Sequence, residues 1–206
     1  MGLEVRLPPA EPDAEQIVNA HHESPPSSAL PASLWPALPP LVASPTAFSG
    51  SCLALSTRLV AFLQTLLPPP PAVALSIGSG FGLLEAYLGT TGQHSPWVVG
   101  VEVEPSPNKY LPASHHRLVH GTRFLAPLAA EAAAWLFVYP RRVGLVQEYM
   151  AEHGGGRVER VVWAGPKADW DDYKPCFAGW HVEEHEADHV GGRAWELIAV
   201  ASKALA

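Results

Sequence analysis

The sequence ALSIGSGFGLLE, residues 74–85, passes from an apolar run through a glycine-rich turn into a second apolar run. This order predicts a buried strand, a tight loop and a helix. Gly78 permits a sharp turn, Gly80 lets a ligand approach the backbone, and Gly82 lets the helix start close to the sheet. In open α/β sheets such a loop lies beyond the carboxyl end of its strand, which is where ligands bind.

The spacing of these glycines separates two kinds of cofactor site. A dinucleotide fingerprint, G-x-G-x-x-G, would need glycine at position 83, and that residue is Leu83. The pattern is G-x-G-x-G instead. The next predicted strand ends close to Glu102. A carboxylate at that place can accept hydrogen bonds from both hydroxyls of a ribose.

Strands alternate with helices along the rest of the chain. Hydrophobic periodicity predicts strands over residues 72–77, 97–103, 117–120, 133–139, 158–164, 180–186 and 195–202. It predicts helices over residues 51–67, 81–88 and 141–153, and a short helix over residues 106–113 that two prolines weaken. The alternation predicts an α/β fold with a mainly parallel sheet and helices on both faces.

The amino-terminal part of the sequence is rich in proline, with Pro-Pro pairs at residues 8–9, 25–26 and 39–40. Proline is excluded from helix interiors, so extended or irregular chain is expected. Apolar residues are interleaved with the prolines, which is not typical of disordered tails. We therefore expect residues 1–50 to form an arm, with a short helix over residues 14–21, that packs on a domain formed by residues 51–206.

Composition narrows the class of function. The chain has 206 residues, a formal net charge of −7 and only 16% charged residues. No basic face is expected, which argues against nucleic acid and against an anionic membrane as partners. No apolar run is long enough to span a bilayer, and residues 1–13 do not read as a secretory signal. Cys52 and Cys176 are expected to be free thiols in a reducing compartment, so we expect a cytoplasmic protein.

The motifs Ser76-x-Gly78-x-Gly80-x-Gly82 and Gly100-Val101-Glu102 resemble those of the class I S-adenosylmethionine-dependent methyltransferases. The resemblance extends from about residue 73 to the C-terminus. It implies a Rossmann-like, doubly wound sheet of seven strands whose last two form an antiparallel hairpin. It also implies that Gly78, Gly80 and Gly82 line the methionine and ribose parts of the cofactor and that Glu102 holds the ribose. In composition the chain further resembles uncharacterised methyltransferase-like proteins of filamentous fungi.

Two residues depart from the family pattern. The position of Ser76 is usually acidic, and Thr122 stands where a carboxylate usually meets the adenine amine. Both are expected in the cofactor site, where they offer only hydroxyl groups. An alternative therefore stays open, in which a degenerate cofactor site belongs to a non-methylating enzyme or to a binding protein. A third interpretation is an interaction module whose arm is recognised in extended form.

The residues that could act on a substrate follow the later strands. Tyr139 ends the fourth strand and can orient a nucleophile or form an aromatic wall beside the sulfonium. Candidate bases are Asp169, after the fifth strand, and His21 and His22, if the arm covers the cleft. The acidic, aromatic loop over residues 163–173 suits an amine or aromatic substrate. No large inserted domain is evident, so a small-molecule acceptor is expected.

A cluster of histidines and acids at residues 181–189 invites comparison with a metal site. On a helix the three histidines of this segment would share one face. The segment falls, however, where the fold requires a strand. We therefore expect a solvated acidic edge strand rather than a metal site.

Overall fold

The structure is a computed structural model that describes residues 35–92 and 95–203. Its sheet contains β1 (Val73–Ile77), β2 (Trp97–Val103), β3 (His116–Val119), β4 (Ala134–Val138), β5 (Arg160–Pro166), β6 (His181–Glu186) and β7 (Glu196–Ser202). The strand order is β3-β2-β1-β4-β5-β7-β6. Strands β1 to β5 are parallel, and β7 runs antiparallel to both β5 and β6. The predicted Rossmann-like sheet of seven strands with a C-terminal hairpin is therefore confirmed.

Helices cover both faces of this sheet. The structure contains α1 (Thr57–Leu66), α2 (Leu83–Thr90), α3 (Val143–His153) and the single turn α4 (Trp170–Tyr173). One apolar core joins α1 and α2 to the sheet, and a second core joins α3 and α4 to it. Successive residues of β1 alternate between the two cores: Ala74 belongs to the first and Leu75 to the second. Cover on both faces explains why the central parallel strands are mainly apolar, whereas β3, at the edge of the sheet, carries exposed residues such as Arg117.

Two predicted helices differ in the structure. The helix expected from residue 51 begins at Thr57, because the Ser56 side chain caps it by accepting a hydrogen bond from the Leu59 N–H. Leu55 forms an antiparallel bridge with Thr46, so the residues before the cap are extended. No α-helix forms over residues 106–113, where Pro107 and Pro112 interrupt the chain and only a 3₁₀ turn follows. The helix expected over residues 14–21 lies outside the described residues.

The segment that precedes α1 contacts the sheet and α2. The Trp35 ring lies 4.6 Å from the His115 ring, and the Tyr87 hydroxyl donates a hydrogen bond to the Pro39 carbonyl at 2.6 Å. His115 contacts Trp97, the first residue of β2, so Trp35 lies near the amino end of that strand. Residues 50–52 lie at the opposite, carboxyl edge of the sheet, beside the glycine loop. The segment therefore follows the full height of the sheet.

Two further findings concern the whole described chain. No helix among the described residues has the length and apolar character that a membrane crossing requires. Cys52 and Cys176 are both free, as expected, and Cys52 is exposed.

Candidate active site

A cavity of about 710 Å³ opens at the carboxyl ends of β1, β2 and β4. The glycine loop forms one wall, and the ends of β2 and β4, the loop after β3 and residues 50–52 form the others. Strand order reverses between β1 and β4, and open α/β sheets bind their ligands at such a switch point. The volume lies within the range of sites for small molecules and cofactors.

The glycine loop presents bare backbone to this cavity. Gly78 and Gly80 have φ angles of +81° and +56°, which side chains rarely adopt. A Cβ atom added to either residue would meet nothing within 4 Å. The N–H groups of Gly78 and Ser79 both donate to the Val101 carbonyl, at 2.9 and 3.0 Å, and so tie the loop to β2. The result is a fixed cradle with room for a ligand against its backbone.

Glu102 lies at the end of β2 and faces the same cavity. Its Oε2 accepts a hydrogen bond from the Gly80 N–H at 2.7 Å, and its Oε1 accepts one from the Val103 N–H at 2.8 Å. Each carboxylate oxygen keeps a further lone pair. Glu102 therefore holds the loop in shape and can still accept hydrogen bonds from ligand hydroxyls.

Gly82 does not line the cavity. A Cβ atom at this position would lie 2.6 Å from Cγ of Leu111 and 2.9 Å from Oδ1 of Asn108. Gly82 also has a φ angle of +78° and caps the start of α2. The structure thus places this glycine against the loop between β2 and β3, where it allows close packing, and not beside the cradle.

Ser76 is also withdrawn from the cavity. It is buried in β1, and its hydroxyl donates a hydrogen bond to Oε1 of Glu85 at 2.6 Å. Glu85 lies in the first turn of α2 and is itself buried. Burial raises the pKa of Glu85 from its ordinary value of 4.5 to about 7, and the Ser76 hydrogen bond partly opposes this shift. A carboxyl group therefore lies behind the glycine loop, but it comes from Glu85 on α2 and not from residue 76 on β1. Its only signal in the sequence is one acid within an apolar run.

The far end of the cavity is lined by the loop after β3 and by α3. Gly121 and Thr122 line it, and the Thr122 carbonyl accepts a hydrogen bond from the Arg142 guanidinium. The Phe124 side chain is 61% exposed in the same loop, and Tyr149 lines the cavity from α3. The exposed Phe124 ring beside the cavity suits a planar ligand. Phe124 was not predicted as a site residue, because nothing in its local sequence distinguishes it from a core residue.

Tyr139 follows β4 and has a strained backbone. Its φ angle is +49°, the one positive value at a non-glycine residue among those described. Its N–H donates to the Ala164 carbonyl at 2.7 Å, and its hydroxyl donates to Oε1 of Glu196 at 2.9 Å. Burial and then the Glu196 hydrogen bond raise the pKa of Tyr139 well above its ordinary value. Strain of this kind persists where the surroundings enforce it, often at functional sites.

A second cavity, of about 400 Å³, lies next to the first. Residues 139–142 line both cavities and so form the partition between them. Asp169 lines this second cavity together with Asp172, Trp163 and Tyr173. His21 and His22 lie outside the described residues.

The segment that held the possible metal pattern forms the edge strand β6. His181, Glu183 and Glu184 are exposed on it, and Glu184 pairs with Lys174. In residues 35–92 and 95–203, no group of three or more potential ligand side chains is close enough to hold a metal ion.

No protein-family model matches the chain. No curated protein matches it significantly. Solved structures match at the level of the fold. Precorrin-6y C5,15-methyltransferase from Geobacter metallireducens GS-15 is 12% identical with a TM-score of 0.55, and the match covers 80% of this chain and 100% of that one.

Two other solved structures give similar matches. A putative methyltransferase from Haloferax volcanii, in complex with the activator Trm112, is 12% identical with a TM-score of 0.50 over 72% of this chain and 90% of that one. The small RNA methyltransferase HEN1 is 9% identical with a TM-score of 0.50 over 79% of this chain and 27% of that one. Together with the sheet order and the glycine loop, these matches show that the chain has the Rossmann-like fold of class I S-adenosylmethionine-dependent methyltransferases.

Proposed function

We propose that the protein is an S-adenosylmethionine-dependent methyltransferase that acts on a small molecule. The observation that carries the proposal is the joint presence, in one cavity at the switch point, of an open glycine cradle and the Glu102 carboxylate. When bound, the cofactor supplies a methyl group whose bonding electron pair stays on sulfur, while the acceptor's lone pair forms the new bond and the acceptor's proton passes to water.

The residues present fit this cofactor. Gly78 and Gly80 offer backbone beside which no Cβ atom would stand, which suits the methionine and ribose parts. Glu102 has free lone pairs for the ribose hydroxyls. Thr122 and Phe124 stand at the far end, where the adenine would lie.

Ser76 and Gly82 would then contribute from outside the cavity. Ser76 anchors the Glu85 carboxyl behind the loop, and Gly82 lets Leu111 pack against the start of α2. Both residues set the shape of the cradle without touching its contents.

The neighbouring cavity favours a small acceptor. Its volume of about 400 Å³ suits a small molecule, and because residues 139–142 border both cavities, a molecule held there would lie beside the cofactor. Asp169 and Asp172 favour an amine over a phosphate, because carboxylates repel anions. The RNA methyltransferase of similar fold shows that fold does not fix the acceptor, but a formal net charge of −7 disfavours a polyanion.

A titration of the full chain with S-adenosylmethionine and S-adenosylhomocysteine, followed by calorimetry and thermal shift, tests the proposal. Ligand at a hundred times its dissociation constant should add about 2.7 kcal/mol to the free energy of unfolding. Glu102→Ala should weaken binding of both compounds more than tenfold, because it removes charge-assisted hydrogen bonds. Glu183→Gln, which removes an exposed carboxylate from the edge strand β6, is the matched control and should leave the affinity unchanged.

The alternative makes the opposite prediction. Ser76 and Thr122 carry hydroxyls where the family usually carries acids, which favours a site that has lost the cofactor. No heat and no thermal shift at millimolar ligand would overturn the proposed function and make that alternative, a non-methylating enzyme or a binding protein, the preferred one. Equal affinity in wild type and Glu102→Ala would instead contradict the ribose role of Glu102.

A further inference from the structure

Glu196 is a buried carboxylate that the sequence did not single out. It is 1% exposed and begins β7, opposite Pro166 at the end of β5. Its Oε1 accepts hydrogen bonds from the Tyr139 hydroxyl at 2.9 Å and from the Ala54 N–H at 3.2 Å. Its Oε2 accepts one from the Arg193 N–H at 3.0 Å. Three separate segments thus converge on one side chain at the carboxyl edge of the sheet.

This arrangement fixes the direction of the Tyr139 hydroxyl bond. The two backbone N–H groups hold the carboxylate in place, and a carboxylate can only accept. The Tyr139 proton must therefore point at Glu196. The phenolic oxygen keeps its lone pairs for any other partner, so toward the cavities it can only accept a hydrogen bond.

Because Tyr139 borders both cavities, a hydroxyl that can only accept a further hydrogen bond affects which ligands it can contact. Tyr139 belongs to the partition of residues 139–142 and lines both cavities. Its raised pKa excludes a phenolate near neutral pH, so it cannot serve as a base there. What its hydroxyl can offer a neighbouring ligand is a neutral oxygen acceptor in a fixed position.

We propose that Glu196 is a positioning residue that orients the Tyr139 hydroxyl so that its lone pairs select an acceptor bearing an N–H or O–H group. The substrate class is therefore a nitrogen or oxygen nucleophile that carries its own hydrogen. The inference rests on the proposed function, since it assigns the second cavity to the acceptor. An aprotic substrate would leave the Tyr139 oxygen without that hydrogen bond.

Two matched pairs of probes test the inference: phenol against anisole, and aniline against N,N-dimethylaniline. Affinities are measured by NMR titration in the presence of saturating S-adenosylhomocysteine, with ¹³C at Cζ of Tyr173 as the reporter, because Tyr173 lines the second cavity and is present in every variant compared. The Tyr173 signal is assigned by its loss in Tyr173→Phe. Wild type should bind each protic probe about three- to tenfold more tightly, relative to its methylated partner, than Tyr139→Phe does.

Variants of Glu196 separate orientation from simple stability. Glu196→Gln keeps an oxygen acceptor and should retain most of the preference for protic probes. Glu196→Leu removes the acceptor and should lose it, while leaving the affinity for S-adenosylhomocysteine within about threefold. Tyr110→Phe, at a tyrosine that lines neither cavity, is the control and should behave as wild type.

The outcomes distinguish this inference from the proposed function. If S-adenosylhomocysteine fails to bind wild type, the proposed function is overturned, and the inference with it. If it binds but the protic preference is equal in wild type and Tyr139→Phe, or absent from both, only the inference is overturned. Should Glu196→Leu fail to fold, the comparison of wild type with Tyr139→Phe still tests whether the Tyr139 hydroxyl selects protic probes.

Discussion

At the scale of single residues, Glu85 combines full burial with an ionisable group. Its carboxyl lies between β1 and α2 and accepts a hydrogen bond from Ser76. Burial disfavours the charged form, and its pKa therefore rises to about 7. Below that pH the group is a neutral acid in an apolar layer. Above it, the fold must hold a buried negative charge.

This shift makes the free energy of unfolding depend on pH. In the unfolded chain Glu85 loses its proton near 4.5, and in the folded chain near 7. Between these values the unfolded state binds fewer protons, so the free energy of unfolding falls as pH rises, by up to about 3 kcal/mol. Above about pH 7 this contribution is constant. Glu85→Gln keeps an acceptor for Ser76 and removes the titration.

We expect Glu85→Gln to lose this slope between pH 4.5 and 7 and to be more stable than wild type at pH 8 by roughly 1–3 kcal/mol. Urea unfolding over this pH range measures both effects. Glu152→Gln, at an exposed position of α3, is the control and should keep the wild-type slope. Parallel slopes for wild type and Glu85→Gln would show that the Glu85 pKa is not raised.

At the scale of elements, the strand–loop–helix unit of β1 and α2 uses its glycines for different purposes. Gly80 and Gly82 both have positive φ angles. Gly80 lines the cavity and faces open space, whereas Gly82 faces Leu111 and Asn108. One glycine serves the ligand and the other serves packing.

An alanine at each position separates these roles. Gly82→Ala should lower the free energy of unfolding by roughly 2–4 kcal/mol, because a left-handed alanine is strained and its Cβ overlaps Leu111. Gly80→Ala should cost only about 1–2 kcal/mol, from backbone strain alone. Affinity for S-adenosylhomocysteine should fall at least tenfold in Gly80→Ala and stay within about threefold in Gly82→Ala. Urea unfolding and calorimetry provide the measurements, and a reversed order of affinities would contradict this division of roles.

Sequence periodicity predicts most of these elements because their signals are local. The apolar strands, the glycine turn and the acid at the end of β2 all depend on residues within one short stretch. The start of α1 is different, since it is set by the Thr46–Leu55 bridge and the Ser56 cap. The role of Glu196 is more distant still, because its partner Tyr139 lies 57 positions earlier. A contact between residues so far apart in the chain produces no periodic pattern in the sequence, so periodicity cannot predict it.

At the scale of the whole molecule, the segment before α1 adds contacts along the height of the sheet. Trp35 packs on the His115 ring and comes within 3.1 Å of a Cβ atom built on Gly89. The Pro39 carbonyl accepts the Tyr87 hydrogen bond. These contacts hold residues 35–39 against α2 and His115.

We predict that Trp35→Ala lowers the free energy of unfolding by about 2 kcal/mol, which is less than the cost at a fully buried tryptophan. Trp195 is 58% exposed and provides the matched control, since Trp195→Ala should cost under about 1 kcal/mol. Urea unfolding of the full-length variants measures both. Equal losses at the two positions would show that the segment does not stabilise the domain.

The partition of residues 139–142 has a consequence for how this protein could change over evolutionary time. Because these four residues line both cavities, a substitution among them alters both compartments together. Residues 163–173 include side chains that line the smaller cavity alone, among them Trp163, Asp172 and Tyr173. Substitutions that adapt the protein to a new acceptor are therefore least constrained at Trp163, Asp172 and Tyr173. Substitutions within residues 139–142 are more constrained, because they change both cavities.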